Sequence, residues 1–451
     1  MQATTHSFDQ QRKTLVVGLG KTGLSCARYL SAQGTELAVI DSRDNPPGKD
    51  AMLTELPDVA MYLGGFRDDV FAAAEQLLVS PGISLREPHV ADAMQRGIPV
   101  MGDVEVFAGK VQAPVIAITG SNGKSTVTTL VAEMARASGY QVAVGGNLGT
   151  PALDLLASQQ DAQLFVLELS SFQLETTSSL NAVAAVILNI SEDHMDRYTD
   201  INEYAAAKQR IYQGDGVMII NADDPRVAAM IEPGRRLVRF TLGEPAAGDF
   251  GLRDVQGETW LCHGRQPWLA ATELRLPGRH NQANALAALA LGQAAGLEQS
   301  AMLRALRQFT GLPHRCQWVA GLNGVSWYND SKATNVGATM AMIDGMPGPL
   351  VLIMGGQGKG QDFSLLAGAL RSKAHTVIVL GEDAAILQQA IGDAATVQHA
   401  DSMPQAVRLA AAAAQPGDSV VLSPACASFD MFNNFEHRGE VFMQQVRSLS
   451  S

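Results

Sequence analysis

Residues 119–126 read Thr-Gly-Ser-Asn-Gly-Lys-Ser-Thr and follow directly on the apolar run Val-Ile-Ala-Ile at 115–118. A strand, a glycine-rich loop and Lys-Ser-Thr in that order suit a nucleoside triphosphate. Gly120 and Gly123, with Asn122 between them, let backbone N–H groups close round phosphate oxygens. Lys124 brings a charge, Ser125 offers a hydroxyl to Mg²⁺, and Thr126 lies in a helix, beginning at about Ser125, whose positive end faces the same anion. The strict form of this loop has glycine where this chain has Ile118, so the loop is a shortened variant. Glu168 closes the strand-like run 164–167. A carboxylate at the C-terminal edge of a parallel strand points into the crevice where ligands bind, and there it could hold Mg²⁺ beside Ser125. The loop 191–198 gathers acids and His194. It reads as a helix cap through Asp193 or Asp196, or as a second metal site on His194. Lys208, on a helical stretch with Tyr204 and Tyr212, reads by itself as a solvated surface lysine.

Three further clusters carry chemistry. Gly18-Leu-Gly-Lys-Thr-Gly23 follows a strand at 14–17 and opens an amphipathic helix, and the next strand ends on Asp41. This layout places a diphosphate on a helix N-terminus, but it does not name the base. A nicotinamide or flavin cofactor and another nucleotide both remain open. The loop 80–83 (Ser-Pro-Gly-Ile) lines the same crevice, or is an ordinary type II turn. In the last third, Thr334 or Asn335 caps a helix that begins at Val336, which leaves Asp330 and Lys332 for a polar site. The segment 355–362 forms a second anion loop around Lys359, or a hairpin-like turn. Arg315 stands at a domain junction, where a guanidinium can swing onto phosphate.

The elements needed to position these residues are strands alternating with helices throughout. At 451 residues the chain exceeds one ordinary core and predicts three α/β domains. Residues 1–109 form an N-terminal Rossmann-like domain. Residues 110–312 form a central P-loop ATPase-like parallel sheet, with a small antiparallel insertion at 233–277. Residues 313–451 form a C-terminal Rossmann-like, doubly wound domain. A formal charge of −12 argues against nucleic-acid binding. Four scattered cysteines fit reduced thiols rather than disulfides or zinc. The polar N-terminus carries no signal core, and no apolar run reaches the ~18 residues of a membrane span, so the expected address is the cytoplasm and no membrane insertion is expected.

Taken together, residues 18–23, 119–126, 145–149 (Gly-Gly-Asn-Leu-Gly), 168–175 (Glu-Leu-Ser-Ser-Phe-Gln-Leu-Glu), 192–198, 311–315 (Gly-Leu-Pro-His-Arg), 329–335 and 423–430 (Ser-Pro-Ala-Cys-Ala-Ser-Phe-Asp) resemble the ATP-dependent Mur ligases of peptidoglycan synthesis, in order and over the whole chain. The last three strings, with Lys359, are those of the branch that adds D-glutamate. The resemblance implies that UDP-N-acetylmuramoyl-L-alanine, D-glutamate and ATP are the substrates. Lys21, Thr22, Ser42, Arg43, Gly82 and Asn147 would meet the UDP-substrate. Gly120, Asn122, Gly123, Lys124, Ser125, Thr126, Asn284, Arg315 and Asp330 would meet ATP, with Asn284 on adenine and Asp330 on ribose. Ser125 and Glu168 would hold one Mg²⁺, and His194 and Lys208 a second. The resemblance makes Lys208 carbamylated, which reverses the surface reading. Thr334, Lys359, Ser428 and Phe435 would position D-glutamate, while Lys332 and Arg315 steady the transferred phosphate. It implies a cytoplasmic enzyme, with a monomer as the default. Rival readings are a sister ligase with another amino-acid acceptor, including the folate-polyglutamate branch, an NAD-dependent oxidoreductase, and a nucleotide-sensing regulator.

Overall fold

The computed structural model describes residues 8–449 except 192, 194–196, 277, 347 and 359. Its strands form three sheets. The first comprises β1 (Thr14–Val17), β2 (Leu37–Asp41), β3 (Ala60–Leu63), β4 (Gln76–Val79) and β5 (Val100–Met101), all parallel, in the order 3-2-1-4-5. The second comprises β6 (Val115–Thr119), β7 (Val142–Gly146), β8 (Leu164–Glu168), β9 (Ala184–Ile187), β10 (Val217–Asn221), β11 (Leu237–Phe240), β12 (Phe250–Val255), β13 (Glu258–His263) and β14 (Gln266–Ala270). Its order is 14-13-12-11-10-9-6-8-7. The third comprises β15 (Gln317–Leu322), β16 (Val325–Asn329), β17 (Leu350–Gly355), β18 (Ala374–Leu380), β19 (Thr396–His399) and β20 (Ser419–Leu422), in the order 15-16-20-17-18-19.

The apolar runs that mark β1, β4, β6, β8, β9 and β20 are buried along their whole length, as expected of parallel strands covered on both faces. In each sheet the chain reverses its winding beside a central strand, and a crevice opens at the carboxyl ends there. The loops after β1 and β4 share one such edge. Those after β6, β8 and β9 share a second, and those after β16, β17 and β20 a third.

The expected insertion at 233–277 differs from what is found. β11 pairs in parallel with β10, and the antiparallel ribbon β12–β13–β14 extends the edge of that same sheet through a single parallel pair, Phe240 with Phe250. Glycine and proline punctuation marks where short strands end, but not which edge they join. The three α/β domains pack as two compact units. Met1–Ala271 with Ala283–Leu306 forms one, and Thr272–Gln282 with Arg307–Ser451 the other. The first unit holds two sheets because their helices share a core. Phe107, on the helix Asp103–Ala108, meets Phe165 of β8 edge-on at 5.2 Å between ring centroids. Asp103 and Glu105 of that helix reach Gln173 and the Ser178 and Ser179 amides. Among the described residues no helix is long and apolar enough to cross a membrane.

Phe107→Ala should therefore act on both sheets at once. A loss of about 3–5 kcal/mol in urea unfolding is expected, with probes in the first and second sheets still melting together. A separate early transition of the first sheet would refute the shared core.

Candidate active site

The phosphate loop follows β6 and feeds the helix Lys124–Ala137, one residue earlier than the sequence suggests. Gly123 supplies its N-cap at φ 83°, and a Cβ there would lie 2.6 Å from Asn284 Oδ1, so glycine is needed twice over. Asn284 thus stands against the loop, and Thr126 is half-buried in the helix's first turn. The Asn122 amide donates to Asn189 Oδ1 at 2.8 Å, and Asn189 Nδ2 returns a bond to Asn122 O at 3.1 Å. Lys124 Nζ donates to Gly120 O and Ser121 O, at 2.8 and 2.9 Å.

Lys208 is not on the surface. It is 1% exposed, in the helix Ile201–Gln209, and its Nζ donates to the same Gly120 O at 3.0 Å and to Thr119 Oγ1 at 3.2 Å. Burial, and then the charge of Lys124, hold its ammonium well below the usual lysine range, while Asp193 and Glu168 pull the other way. Asp193 does not cap the following helix. Asp200 does, accepting from the amides of Asn202 and Glu203. His194 and Asp196 lie outside the described residues.

Glu168 ends β8 beside β6, in register with Ile118, and is 3% exposed. Its Oε1 accepts from Asn147 Nδ2 at 2.6 Å, whereas Oε2 is buried with no hydrogen-bond partner among the described residues. A buried carboxylate oxygen with no donor, on the strand next to the Ser125 hydroxyl's loop, fits a hard divalent cation such as Mg²⁺ that takes its other ligands from phosphate and water.

In the first sheet the loop Gly18–Gly23 lies over β4. Ser80 Oγ donates to Gly18 O at 2.8 Å, and a Cβ on Gly23 would overlap that carbonyl. Asp41 is the acid that a dinucleotide ribose would need. It is occupied instead, accepting from the Leu19 amide at 2.7 Å and from Arg43 Nε and Nη2 at 2.8 and 2.7 Å. Arg43 keeps half its side chain in solvent, and Ser42 and Gly82 are exposed. Lys21 Nζ donates to Gly149 O at 2.6 Å, which ties this loop to the second sheet; Thr22 is half-buried beside it.

In the other unit, the loops after β16, β17 and β20 meet. Asn335, rather than Thr334, caps the helix Val336–Gly345, so Thr334 is left half-buried. Lys332 Nζ sits 3.9 Å above the Phe435 ring, and Ser428 is buried. Lys359 lies outside the described residues, but its loop is held by the Gly358 amide donating to Asp383 Oδ2 at 2.6 Å. The positive charge of Arg315 reaches Asp330.

Two arginines escaped the sequence reading. Arg197 Nη1 and Nη2 donate to Pro81 O and Ile83 O, on either side of Gly82, at 2.9 and 3.1 Å. Its guanidinium also stacks 4.2 Å from the Phe172 ring and pairs with Glu175. The second, Arg438, is buried among the loops of the third sheet. Their partners are mostly main-chain oxygens far away in sequence, and no local spacing announces such contacts.

Asp330 accepts from the Cys316 amide and from Ser423 Oγ, but burial outweighs both and lifts its carboxyl to about 7. The folded chain then keeps a proton that the unfolded chain has released. The group's contribution to stability is complete below the ordinary carboxylate range and is lost as pH climbs through about 7. Between about pH 5 and about pH 8 the melting temperature of the natural chain should fall relative to Asp330→Asn. Parallel curves for the two proteins would contradict the assignment.

Comparison with known proteins agrees with this geometry. Three family models match: the MurD-like N-terminal domain of Mur ligases at residues 12–102, the Mur ligase middle domain at 118–292, and the Mur ligase glutamate ligase domain at 314–426. A UDP-N-acetylmuramoylalanine--D-glutamate ligase of Nitrosococcus oceani is 57% identical over 97% of each chain. One of the same name from Marinobacter nauticus is 53% identical over 97% of this chain and 98% of its own. Among solved structures, a UDP-N-acetylmuramate-alanine ligase of Thermotoga maritima shares the fold at a TM-score of 0.59 and 17% identity, covering 97% of this chain and all of its own. Phosphate loop, occupied Asp41 and matching domain models converge, and the chain belongs to the Mur ligase family.

Proposed function

We propose that this chain is an ATP-dependent ligase that joins D-glutamate to UDP-N-acetylmuramoyl-L-alanine through an acyl phosphate, in the assembly of peptidoglycan precursors. The observation that carries the reading is the buried Lys208 amine against the phosphate loop, sharing Gly120 O with Lys124. A loop that only binds or hydrolyses ATP has no need of a second lysine beneath it. The acceptor and donor follow from full-length relatives that bear this activity in their names.

The chemical difficulty is that a carboxylate is a poor acyl donor. The L-alanine carboxylate attacks the terminal phosphorus of ATP, ADP leaves, and the acyl phosphate carries a good leaving group. The neutral amine of D-glutamate then attacks the carbonyl carbon, and phosphate departs from the tetrahedral species as the amide forms. Lys124 and the N-terminal end of its helix offset the repulsion between triphosphate and carboxylate. Magnesium, held by Ser125 and Glu168 and at a second place by His194 and carbamylated Lys208, would screen the same charges when bound. A depressed lysine pKa favours carbamylation, because only the neutral amine adds to CO₂.

The remaining assignments divide by sheet. Lys21, Thr22, Ser42, Arg43 and Gly82 take the UDP-substrate, and Arg43 turns its solvent side to the ligand because Asp41 holds the other. Asn147 joins that substrate to the metal carboxylate it already contacts. Gly120, Asn122, Gly123, Thr126 and Asn284 take ATP with Lys124, and Asp330 takes its ribose. Arg315 and Lys332 steady the moving phosphate, and Thr334, Lys359, Ser428 and Phe435 receive D-glutamate. All come from one chain, so a monomer suffices, and the ATP requirement places the reaction in the cytoplasm.

The purified chain should release phosphate only when ATP, UDP-N-acetylmuramoyl-L-alanine and D-glutamate are all present. L-glutamate, L-lysine and meso-diaminopimelate should give background, and equal turnover with any of them would reassign the acceptor. Lys208→Ala should be inactive yet regain part of its rate with added short carboxylic acids, which stand in for the carbamate. No recovery in a folded variant would count against carbamylation.

A further inference from the structure

The three loops at the carboxyl edge of the third sheet hang on one side chain. Arg438, in the helix Phe435–Ser448, is 2% exposed. Its Nε donates to Ser331 Oγ at 3.0 Å and its Nη2 to Ser331 O at 2.8 Å, in the loop after β16. Its Nη1 faces Cys426 O at 3.1 Å and Ala427 O at 3.3 Å, after β20, and Gly355 O at 3.4 Å, at the end of β17. Ser331 Oγ passes its own hydrogen to Phe435 O at 2.8 Å, closing the cluster back onto the helix. The backbone is pressed against this hub. A Cβ on Gly356 would overlap Ala427 O, and one on Gly439 would overlap the His314 ring.

The electrostatics are unusual for a merely structural contact. Among the described residues no carboxylate hydrogen-bonds Arg438; Asp430 acts on it only through space. The cation is solvated by carbonyl and hydroxyl oxygens. Burying a charge that way is costly compared with packing an apolar side chain of similar size. What a guanidinium offers in return is a rigid planar fork whose five N–H groups address several segments at fixed angles, which an ammonium cannot do.

We propose that Arg438 is a positioning residue for the amine-transfer half of the reaction. It sets the mutual placement of the loops that carry Thr334 and Ser428 and of the end of β17, without touching either substrate. The inference rests on the function proposed above, and it separates the two half-reactions. Formation of the acyl phosphate meets Arg438 only through Asp330 and Lys332 on either side of Ser331, so it should depend on Arg438 less than capture by D-glutamate does.

The test uses the full chain with Arg438→Lys and Arg438→Met, and Ser331→Ala as a milder change. Acyl phosphate is read as the alcohol obtained on borohydride reduction, in reactions without D-glutamate; ligation is read as D-glutamate-dependent product. Both arginine variants should lose about tenfold in acyl-phosphate formation and about 100-fold in ligation, with a KM for D-glutamate raised about tenfold and that for the UDP-substrate unchanged. Ser331→Ala should shift the same KM in the same direction by a smaller factor. An Arg438→Lys protein with a normal KM for D-glutamate would overturn the proposal. So would variants that lose acyl phosphate and ligation in equal measure, or a Ser331→Ala protein with no shift. Absence of trapped acyl phosphate from the natural chain would instead strike at the proposed function.

Discussion

Two lysine side chains end on one carbonyl oxygen. Lys124 and Lys208 both donate to Gly120 O, one from above the phosphate loop and one from within the core, and among the described residues no carboxylate hydrogen-bonds Lys208. Burial first, and then repulsion from the Lys124 ammonium, hold the Lys208 amine well below the usual lysine range. That constraint orders the rest of the central sheet. Lys208 reaches Thr119 at the end of β6 through its own side chain, with Tyr204 flanking it at 4.6 Å from Nζ to ring centroid. Nearby, Glu168 keeps one oxygen bonded to Asn147 and the other, among the described residues, without a donor. An amine pushed toward its neutral form and a carboxylate left half satisfied are poor choices for stability and good ones for handling a triphosphate and its metal.

The same architectural solution is used three times. Each sheet reverses its winding beside a central strand, and the loops leaving that strand and its neighbours carry the candidate residues. The backbone amides and helix N-termini that gather at such an edge favour anions whatever the side chains are. What distinguishes the three edges is how the loops are braced. Asp41 and Arg43 brace the first, Arg197 links the first to the second, and Arg438 braces the third. Glycines that close the loops supply room, and charged residues with main-chain partners supply stiffness.

Much of this was readable from residues alone, and the reason is local. β1, β6, β8 and the helix after the phosphate loop declare themselves through short apolar runs bounded by glycine, and their functional residues lie within a few positions of the strand ends. Lys208 did not declare itself. Its Ala-rich helix has little amphipathic contrast, and its burial depends on a strand about 90 positions earlier in the chain. Arg197 and Arg438 were silent for a related reason, since a guanidinium bonded to carbonyls needs no partner side chain that a sequence could reveal. The ribbon β12–β14 was legible as strands but not as the edge of an existing sheet, because edge choice is settled by distant pairing. Family resemblance, not spacing, gave Lys208 its role.

The common core of the first two sheets has a consequence for how such a protein can change. Phe107 against Phe165 means that the first sheet's lobe cannot be exchanged without cutting through packed side chains of its neighbour. The third sheet has hydrophobic cores of its own. A change confined to the third sheet's packing therefore leaves the core shared by the first two sheets untouched.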